Sequence, residues 1–280
     1  MLLRDAPILA ALFLFSPVWA TQSYPQTAEI DLIFPLNDTY LPLYPFPVVF
    51  AIRNPAAMWP FNFQFRYEFD VYLEEEGRFS TMISGLEDYG HYPWDKGAGD
   101  IEYKSDEDPL ILVNATKIMN RVNETTARLT WGIGFSTNCT EDSDPRDPPQ
   151  VDLFEDSVYL TISRSNGSLP DFSASAPCPK LVGAVTIDGE VGISGTSGYP
   201  EVCPMLPAKQ PKGDPCGLKI DDSIAAKVAN ASLEFVGCEN GKWPNATATT
   251  CDELGSGSRI QPFVGWLGVF GLAVACIFVS

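Results

Sequence analysis

The stretch FNFQFRYEFDVYL, residues Phe61–Leu73, decides the fold class of this chain. Aromatic or aliphatic side chains occupy its odd positions, while polar and charged side chains dominate its even positions. Successive side chains of a β-strand point to opposite faces, so this period of two predicts a strand with one face in a core and the other toward solvent. A helix would scatter the same aromatic residues around its circumference.

Shorter stretches with the same alternation follow along the chain, with turn residues between them. Together they predict about seven strands between residues 27 and 165 and no long helix. Two packed antiparallel sheets bury such strands, so we predict an all-β fold, an immunoglobulin-like β-sandwich over residues 21–165. The predicted strands lie around Ile30–Phe34, Val48–Ile52, Phe61–Leu73, Thr81–Ile83, Leu110–Val113, Leu129–Phe135 and Val158–Ile162.

The composition changes after residue 165, where the chain becomes rich in proline, serine and alanine. Residues 166–254 are predicted to form a disulfide-stapled, cysteine-rich C-terminal extension or a small subdomain. Within this tract an Asp-Gly pair predicts a β-hairpin over Leu181–Ile193. An Asp-Ser pair at Asp222 predicts the start of a short helix.

Both ends of the chain have the composition of targeting segments. Residues 1–20 contain a short apolar run, Ala6–Phe15, followed by Val18 and Ala20 at the −3 and −1 positions of a cut. This pattern predicts a secretory signal peptide and a mature protein that begins at Thr21.

Residues 255–280 combine small residues, a short polar spacer and an uncharged apolar run, Phe263–Val279. Small residues followed by a spacer and a hydrophobic tail form the attachment signal of a glycosylphosphatidylinositol (GPI) anchor, here with Gly255 or Ser256 as the attachment site. The alternative is a single C-terminal transmembrane helix, although no basic residues follow the run.

Cysteines and N-glycosylation sequons also indicate an oxidising, extracellular compartment. Of seven cysteines, one lies in the C-terminal tail, and the remaining six predict three disulfides whose connectivity is open. Seven Asn-X-Ser/Thr sequons predict a heavily glycosylated surface. The six cysteines are Cys139, Cys178, Cys203, Cys216, Cys238 and Cys251, and the sequon asparagines are Asn37, Asn114, Asn123, Asn138, Asn166, Asn230 and Asn245.

The composition excludes several classes of function. The chain of 280 residues carries 36 acidic and 18 basic side chains, a net charge of −18 that repels phosphate backbones and excludes nucleic-acid binding. It contains one histidine, and neither a nucleophile elbow nor a phosphate-binding loop occurs. The sequence therefore predicts no cofactor, and no catalysis is evident from it.

One aromatic and acidic loop, residues 85–100, is the candidate for ligand binding. Aromatic faces beside carboxylates can dock a sugar ring, and two carboxylates at the required separation can cleave a glycosidic bond. The alternative is that the aromatic side chains only pack over the edge of the sandwich. The candidate residues are Glu87, Tyr89, His91, Tyr92, Trp94 and Asp95.

A second loop contains the alternating carboxylates Asp142 and Asp144, which could ligate Ca²⁺. It lacks the glycine and the closing glutamate of an EF-hand loop. A solvated acidic loop is the simpler interpretation, so we predict no metal site.

Four segments resemble a family of secreted filamentous-fungal surface proteins that share a domain of unknown function. They are Asp31–Pro35, Asn37–Tyr40, Phe46–Pro55 and Asp214–Asp221, and the similarity covers most of residues 25–251. The resemblance implies an extracellular and often GPI-anchored setting. It implies no activity and no site residues.

From these features we predict a GPI-anchored, N-glycosylated glycoprotein of the cell surface or cell wall with a structural or recognition role. Its expected partners are the outer membrane leaflet, reached through the lipid anchor, and cell-wall polysaccharide. The alternative function is that of a carbohydrate-binding module or carbohydrate-active enzyme that uses the loop 85–100.

Overall fold

The computed structural model contains two large β-sheets, which are antiparallel except where the short strand Thr39–Tyr40 runs parallel to its neighbour. It describes residues 23–61, 63–74, 76–89, 107–117, 119, 123–135, 139, 151–173, 175–192, 202–238 and 242–244, with side chains omitted at 85–89. The strands are β1 (Gln26–Phe34), β2 (Thr39–Tyr40), β3 (Phe46–Arg53), β4 (Phe63–Leu73), β5 (Arg78–Tyr89), β6 (Leu110–Thr116), β7 (Glu124–Phe135), β8 (Val151–Ser163), β9 (Lys180–Ile187), β10 (Gly189–Gly192) and β11 (Val202–Met205).

The order of the strands confirms the predicted immunoglobulin-like sandwich. One sheet has the order β6-β3-β1-β9 and the other β2-β8-β7-β4-β5, while β10 and β11 form a separate two-stranded sheet. In immunoglobulin lettering β1, β3 and β6 take the places of strands A, B and E, and β5, β4, β7 and β8 those of C′, C, F and G.

The core between the sheets is rich in aromatic side chains, as the alternation in β4 predicts. The inward residues of β4 from Phe63 to Val71 are buried. Phe65 meets Phe50 of β3 edge to face at 4.8 Å, and Phe69 stacks on Phe46 at 5.5 Å. Such pairs add to the free energy gained from burial alone, so β4 fixes the two sheets against each other.

Asp70 is a correction to the predicted alternation, because it is buried although it lies at an outward position of β4. The Arg128 side chain from β7 covers it, and Nη2 of Arg128 donates to Oδ2 at 2.7 Å. Thr81 Oγ1 donates to Oδ1 at 2.8 Å. These two partners offset the free-energy cost of burying the carboxylate. A period-two sequence pattern cannot reveal such partners.

Part of the tract after residue 165 belongs to the sandwich itself. β9 pairs with β1, from Ile187 opposite Gln26 to Lys180 opposite Leu32. The predicted hairpin over Leu181–Ile193 is therefore wrong, because β10 pairs with β11 instead of β9. The Asp-Gly turn favours a hairpin locally, but the free edge of β1 provides β9 with the longer ladder.

Helix α1 (Asp222–Val236) adds a layer on the outer face of the four-stranded sheet, where it contacts β6 and β3. The predicted helix is confirmed, with its N-cap one residue earlier than expected. The carboxylate of Asp221 accepts hydrogen bonds from the backbone N–H groups of Ser223 and Ile224 at 3.0 Å each. Since α1 covers one face of β3 and the five-stranded sheet covers the other, β3 is buried from Phe46 to Ile52.

Two disulfides have both cysteines among the described residues. Cys139–Cys203 is buried and joins the segment after β7 to β11, whereas Cys178–Cys216 is exposed and joins the segment before β9 to the segment before α1. Cys238 is also disulfide-bonded. Cys251 lies outside the described residues.

The predicted targeting segments, residues 1–20 and 255–280, also lie outside the described residues. Within the part of the chain that the structure describes, no helix combines the length and apolar composition needed to cross a membrane.

Candidate binding end of the sandwich

The two ends of the sandwich differ in the connections that they carry. We call one end the loop pole: β3, β5 and β7 end there, and β4, β6 and β8 begin there. The connections 54–62, 90–109 and 136–150 leave from this pole. We call the opposite end the tail pole, where β1 ends at Phe34 and β3 begins at Phe46. In immunoglobulin variable domains the end equivalent to the loop pole carries the antigen-binding loops.

Both loops singled out in the sequence connect strands at the loop pole. The prediction that Glu87 and Tyr89 lie in a loop is wrong. Their backbones belong to β5, opposite Phe65 and Phe63 of β4. The hydrophobic alternation of β5 is weak there, so the sequence did not reveal that the strand continues. His91, Tyr92, Trp94 and Asp95 lie outside the described residues, as do Asp142 and Asp144.

A groove of about 590 Å³ lies at the loop pole, between the start of β6 and the start of α1. Its lining combines cationic, anionic and apolar side chains, so charges of both signs surround an apolar floor. This differs from the acidic surface expected of a chain with a net charge of −18. The cations are Arg53, Lys219 and Lys227, the anions are Glu107, Asp108 and Asp221, and the apolar residues include Pro109, Ile111, Leu218 and Ile224.

Hydrogen bonds fix the walls of the groove. Lys227 Nζ donates to Glu107 at 2.6 Å, which joins α1 to the segment before β6. Asp108 accepts a hydrogen bond from the backbone N–H of Asn54 at 2.8 Å. Asn54 has φ 50°, a left-handed conformation that asparagine tolerates better than most residues. Fixed donors and acceptors beside apolar surface are the features with which proteins bind neutral polar ligands.

A charged cluster around Arg53 lies beside the groove. Arg53 pairs with Glu29 of β1, directly opposite it in the sheet, and its Nε donates to Asp31 at 3.1 Å. Its Nη2 also donates to the carbonyl oxygen of Asp214 at 2.6 Å. The backbone N–H of Asp214 donates in turn to Glu29 at 2.8 Å. The cluster therefore clamps the segment before α1 onto the sheet.

The carboxyl group of Asp31 is fully buried in this cluster. Burial raises its pKa to about 7, while Arg53 opposes the rise and Glu29 adds to it. Because Asp31 is buried and has no access to a substrate, its carboxyl group is suited to holding the fold.

Among the described residues, no group of three or more His, Cys, Asp or Glu side chains is placed to hold a metal ion. No sequence pattern predicts the Arg53 cluster, although Asp31, Arg53 and Asp214 lie in three of the segments that carry the family resemblance. The only trace of the cluster in the sequence is one arginine and several carboxylates within short hydrophobic segments. Only the pairing of β1 with β3 brings them together.

The described sequons differ in exposure. Asn37, Asn123, Asn166 and Asn230 are exposed, and Asn114 is half-buried. Asn138 and Asn245 lie outside the described residues. Three of the exposed asparagines lie at the tail pole, on the turn after β1, before β7 and after β8, whereas Asn230 lies on α1.

Comparison with known proteins gives a family but no activity. A family model described as a domain of unknown function (DUF7136) matches residues 23–249. No curated protein and no solved structure matches the chain. The matched residues include both sheets of the sandwich, α1 and both disulfides described above. This chain therefore belongs to the family defined by the DUF7136 domain of unknown function.

Proposed function

We propose that the protein is a GPI-anchored extracellular glycoprotein that stands on the cell surface with its tail pole toward the membrane and its loop pole outward. Its role there is recognition or structural support within or close to the cell wall. The observation that carries the proposal is the position of the last described residues, 242–244, at the tail pole.

Helix α1 carries the chain from the loop pole to the tail pole. Its N-cap Asp221 lines the groove at the loop pole. At its other end Leu233 packs near Tyr44 and Trp243, and the indole Nε1 of Trp243 donates to the carbonyl oxygen of Pro45 at 3.0 Å. Pro45 immediately precedes β3, so the last described residues, 242–244, lie at the tail pole.

The short distance in sequence to the proposed anchor supports this orientation. Residues 245–254 separate the described chain from Gly255, the first candidate attachment site. Even fully extended, a segment of this length reaches only about 35 Å. Because the last described residues lie at the tail pole, an anchor at Gly255 would on average hold the tail pole nearer to the membrane than the loop pole.

The disulfides fit an extracellular protein, because such bonds persist in oxidising compartments. Cys139–Cys203 joins the connection after β7 to β11 at the loop pole. A rigid scaffold that carries long connections at one end is a common arrangement for recognition.

The anchor can be tested by treating intact cells with phosphatidylinositol-specific phospholipase C. We expect release of the protein, a mature N-terminus at Thr21 and no peptides from Phe263–Val279 in the released chain. Retention on the membrane with those peptides present would favour the C-terminal transmembrane helix instead.

The orientation can be tested with two epitope tags on the anchored protein. One tag precedes Gln26 at the loop pole, and its matched control is inserted in the turn at Glu76–Gly77 at the tail pole. Energy transfer from a labelled antibody fragment to a lipid dye should be stronger for the tail-pole tag, because β4 alone spans roughly 35 Å between the poles. Equal transfer from both tags would refute the upright orientation.

A second candidate function is binding of a neutral glycan at the loop pole. It is favoured by the groove, where Glu107–Pro109, the last residues before β6, face the start of α1. Balanced charges and an apolar floor suit a polyhydroxylated chain that carries no charge of its own.

A glycan array probed with the ectodomain tests this second candidate. Charge reversal of Lys219 and Lys227 to Glu should reduce any binding at least about tenfold, the effect of losing roughly 1.4 kcal/mol of binding free energy. Lys117→Glu at the tail pole is the matched control and should leave binding unchanged. Equal loss in both variants would exclude the groove as the binding site.

A further inference from the structure

We infer that the tail pole carries a collar of N-linked glycans, on Asn37, Asn123 and Asn166. We also infer that the sequon at Asn114 stays unmodified in the folded protein. The inference rests on the proposed function only in that the chain must enter the secretory pathway.

The three sequons of the collar lie on neighbouring turns. Arg164, which lies two residues before Asn166, donates a hydrogen bond from Nε to the side-chain oxygen of Asn123 at 2.9 Å. The backbone N–H of Ser168, the hydroxyl residue of the Asn166 sequon, donates to the carbonyl oxygen of Thr39 at 3.0 Å. Thr39 is the hydroxyl residue of the Asn37 sequon, so these contacts link all three sites.

Each of these asparagines has room for a glycan, because each is exposed. The contact of Asn123 with Arg164 uses the side-chain oxygen and not the nitrogen that would carry the sugar. In the transfer reaction an N-glycosidic bond forms between Nδ2 and C1 of the first sugar of a lipid-pyrophosphate-linked oligosaccharide. The bond from C1 to the pyrophosphate oxygen breaks, the lipid pyrophosphate leaves with the electron pair, and the amide loses one proton.

Unlike the three exposed asparagines of the collar, Asn114 points into the space between the two sheets. It lies opposite Val48 in the pairing of β6 with β3, in phase with Phe46 and Phe50, whose rings pack in the core. Its Nδ2 donates at 3.1 Å to the hydroxyl of Tyr67, a core residue of β4.

The rest of the Asn114 sequon is turned inward as well. Thr116, its hydroxyl residue, lies opposite Phe46 and is 5% exposed. A glycan is large and hydrated, so it cannot share the space between the sheets with these side chains. A nascent chain glycosylated at Asn114 could not pack β6 in this way and should be missing from the secreted pool.

The occupancy of each sequon can be read from secreted protein treated with peptide N-glycosidase in ¹⁸O-water, which converts a glycosylated asparagine into labelled aspartate. Mass spectrometry should find the label at Asn37, Asn123 and Asn166 and none at Asn114. As a matched pair, Asn37→Gln should raise electrophoretic mobility by one glycan, whereas Asn114→Gln should leave it unchanged.

Label at Asn114 in the folded protein, or its absence from any one of the three tail-pole sites, would overturn the inference while the proposed anchoring still stands. Absence of label at every sequon would overturn the collar, and together with a failure of the phospholipase to release the protein it would also overturn the secretory setting on which the proposed function depends. Release by the phospholipase is read independently of glycan occupancy, so the two failures can be told apart.

Discussion

The loop pole and the tail pole are opposite ends of the same strands, but they are built differently. The connections 90–109 and 136–150 at the loop pole are long, whereas β4 and β5 are joined at the tail pole by a tight turn in which Gly77 has φ 63°. Left-handed backbone of this kind favours glycine, so the turn is short and fixed. One end of the sandwich thus carries long connections while the other holds the strands in register.

The interactions that hold later segments onto the sheet also differ between the poles. At the loop pole, the Arg53 cluster and Cys139–Cys203 tie the sheet to segments that follow it in sequence. At the tail pole, aromatic packing ties the sheet to later segments. Phe172 lies between Phe34 and Trp243, with ring centroids 5.8 and 5.7 Å away. Polar and covalent fastening at one end is therefore paired with hydrophobic fastening at the other, and each can be disturbed separately.

The largest expected effect is loss of the core that both poles share. Phe65→Ala should lower the free energy of unfolding by about 3–5 kcal/mol, because it empties a fully buried aromatic site. Gln64→Ala, on the opposite face of β4, should change it by less than about 0.5 kcal/mol. Denaturant unfolding measures both, and equal costs would contradict the half-buried strand on which the sandwich rests.

Removing either disulfide should lower the free energy of unfolding by a similar amount, although one bond is buried and the other is exposed. Replacing Cys139 and Cys203 by Ala should cost about 2–4 kcal/mol, and replacing Cys178 and Cys216 should cost nearly as much, because loop-closure entropy depends only on the logarithm of loop length. Denaturant unfolding of the two double variants measures these costs.

Mild reduction of the native protein should nevertheless distinguish the two bonds. A thiolate must reach a sulfur atom to open a disulfide, so the exposed Cys178–Cys216 should open first and the buried Cys139–Cys203 much later. A time course of alkylation followed by peptide mass spectrometry reports the order. Simultaneous opening would mean that the loop pole is as accessible as the exposed bond.

The Arg53 cluster should make stability depend on pH. Burial raises the pKa of Asp31 to about 7, so between about pH 4 and about pH 7 the folded protein holds a proton that the unfolded chain releases. The contribution of Asp31 to the free energy of unfolding therefore falls as pH rises, by up to about 1.4 kcal/mol per pH unit.

Asp31→Asn should remove this slope, as measured by urea unfolding across the same pH range. Asp222→Asn, which changes an exposed carboxylate at the start of α1, is the matched control and should leave the slope in place. An unchanged slope in Asp31→Asn would show that other groups cause the pH dependence.

The smallest expected effect concerns the helix that joins the two poles. Asp221→Ala removes the acceptor of two backbone hydrogen bonds at the start of α1 and should cost about 1 kcal/mol. Asp222→Ala, which keeps this cap, should cost only a few tenths of a kcal/mol. Thermal unfolding should rank the two variants in this order, and the reverse order would contradict the role of Asp221 as N-cap.

The sequence by itself determined the fold class and the positions of seven of the strands, β1 and β3 to β8. The alternation in Phe61–Leu73, Leu129–Phe135 and Val158–Ile162 predicts strands because the period-two signal of a half-buried strand is local. The start of α1 was also predictable to within one residue, because capping depends on side chains next to the helix start.

Tertiary structure alone decided which strands pair and which side chains meet. Nothing near β9 in sequence indicates that its partner is β1, and nothing near Asn114 indicates that its amide points at Tyr67. The Arg53 cluster likewise joins residues from three distant segments. Such contacts depend on the register of strands far apart in the chain, where a shift of one residue turns every side chain to the other face.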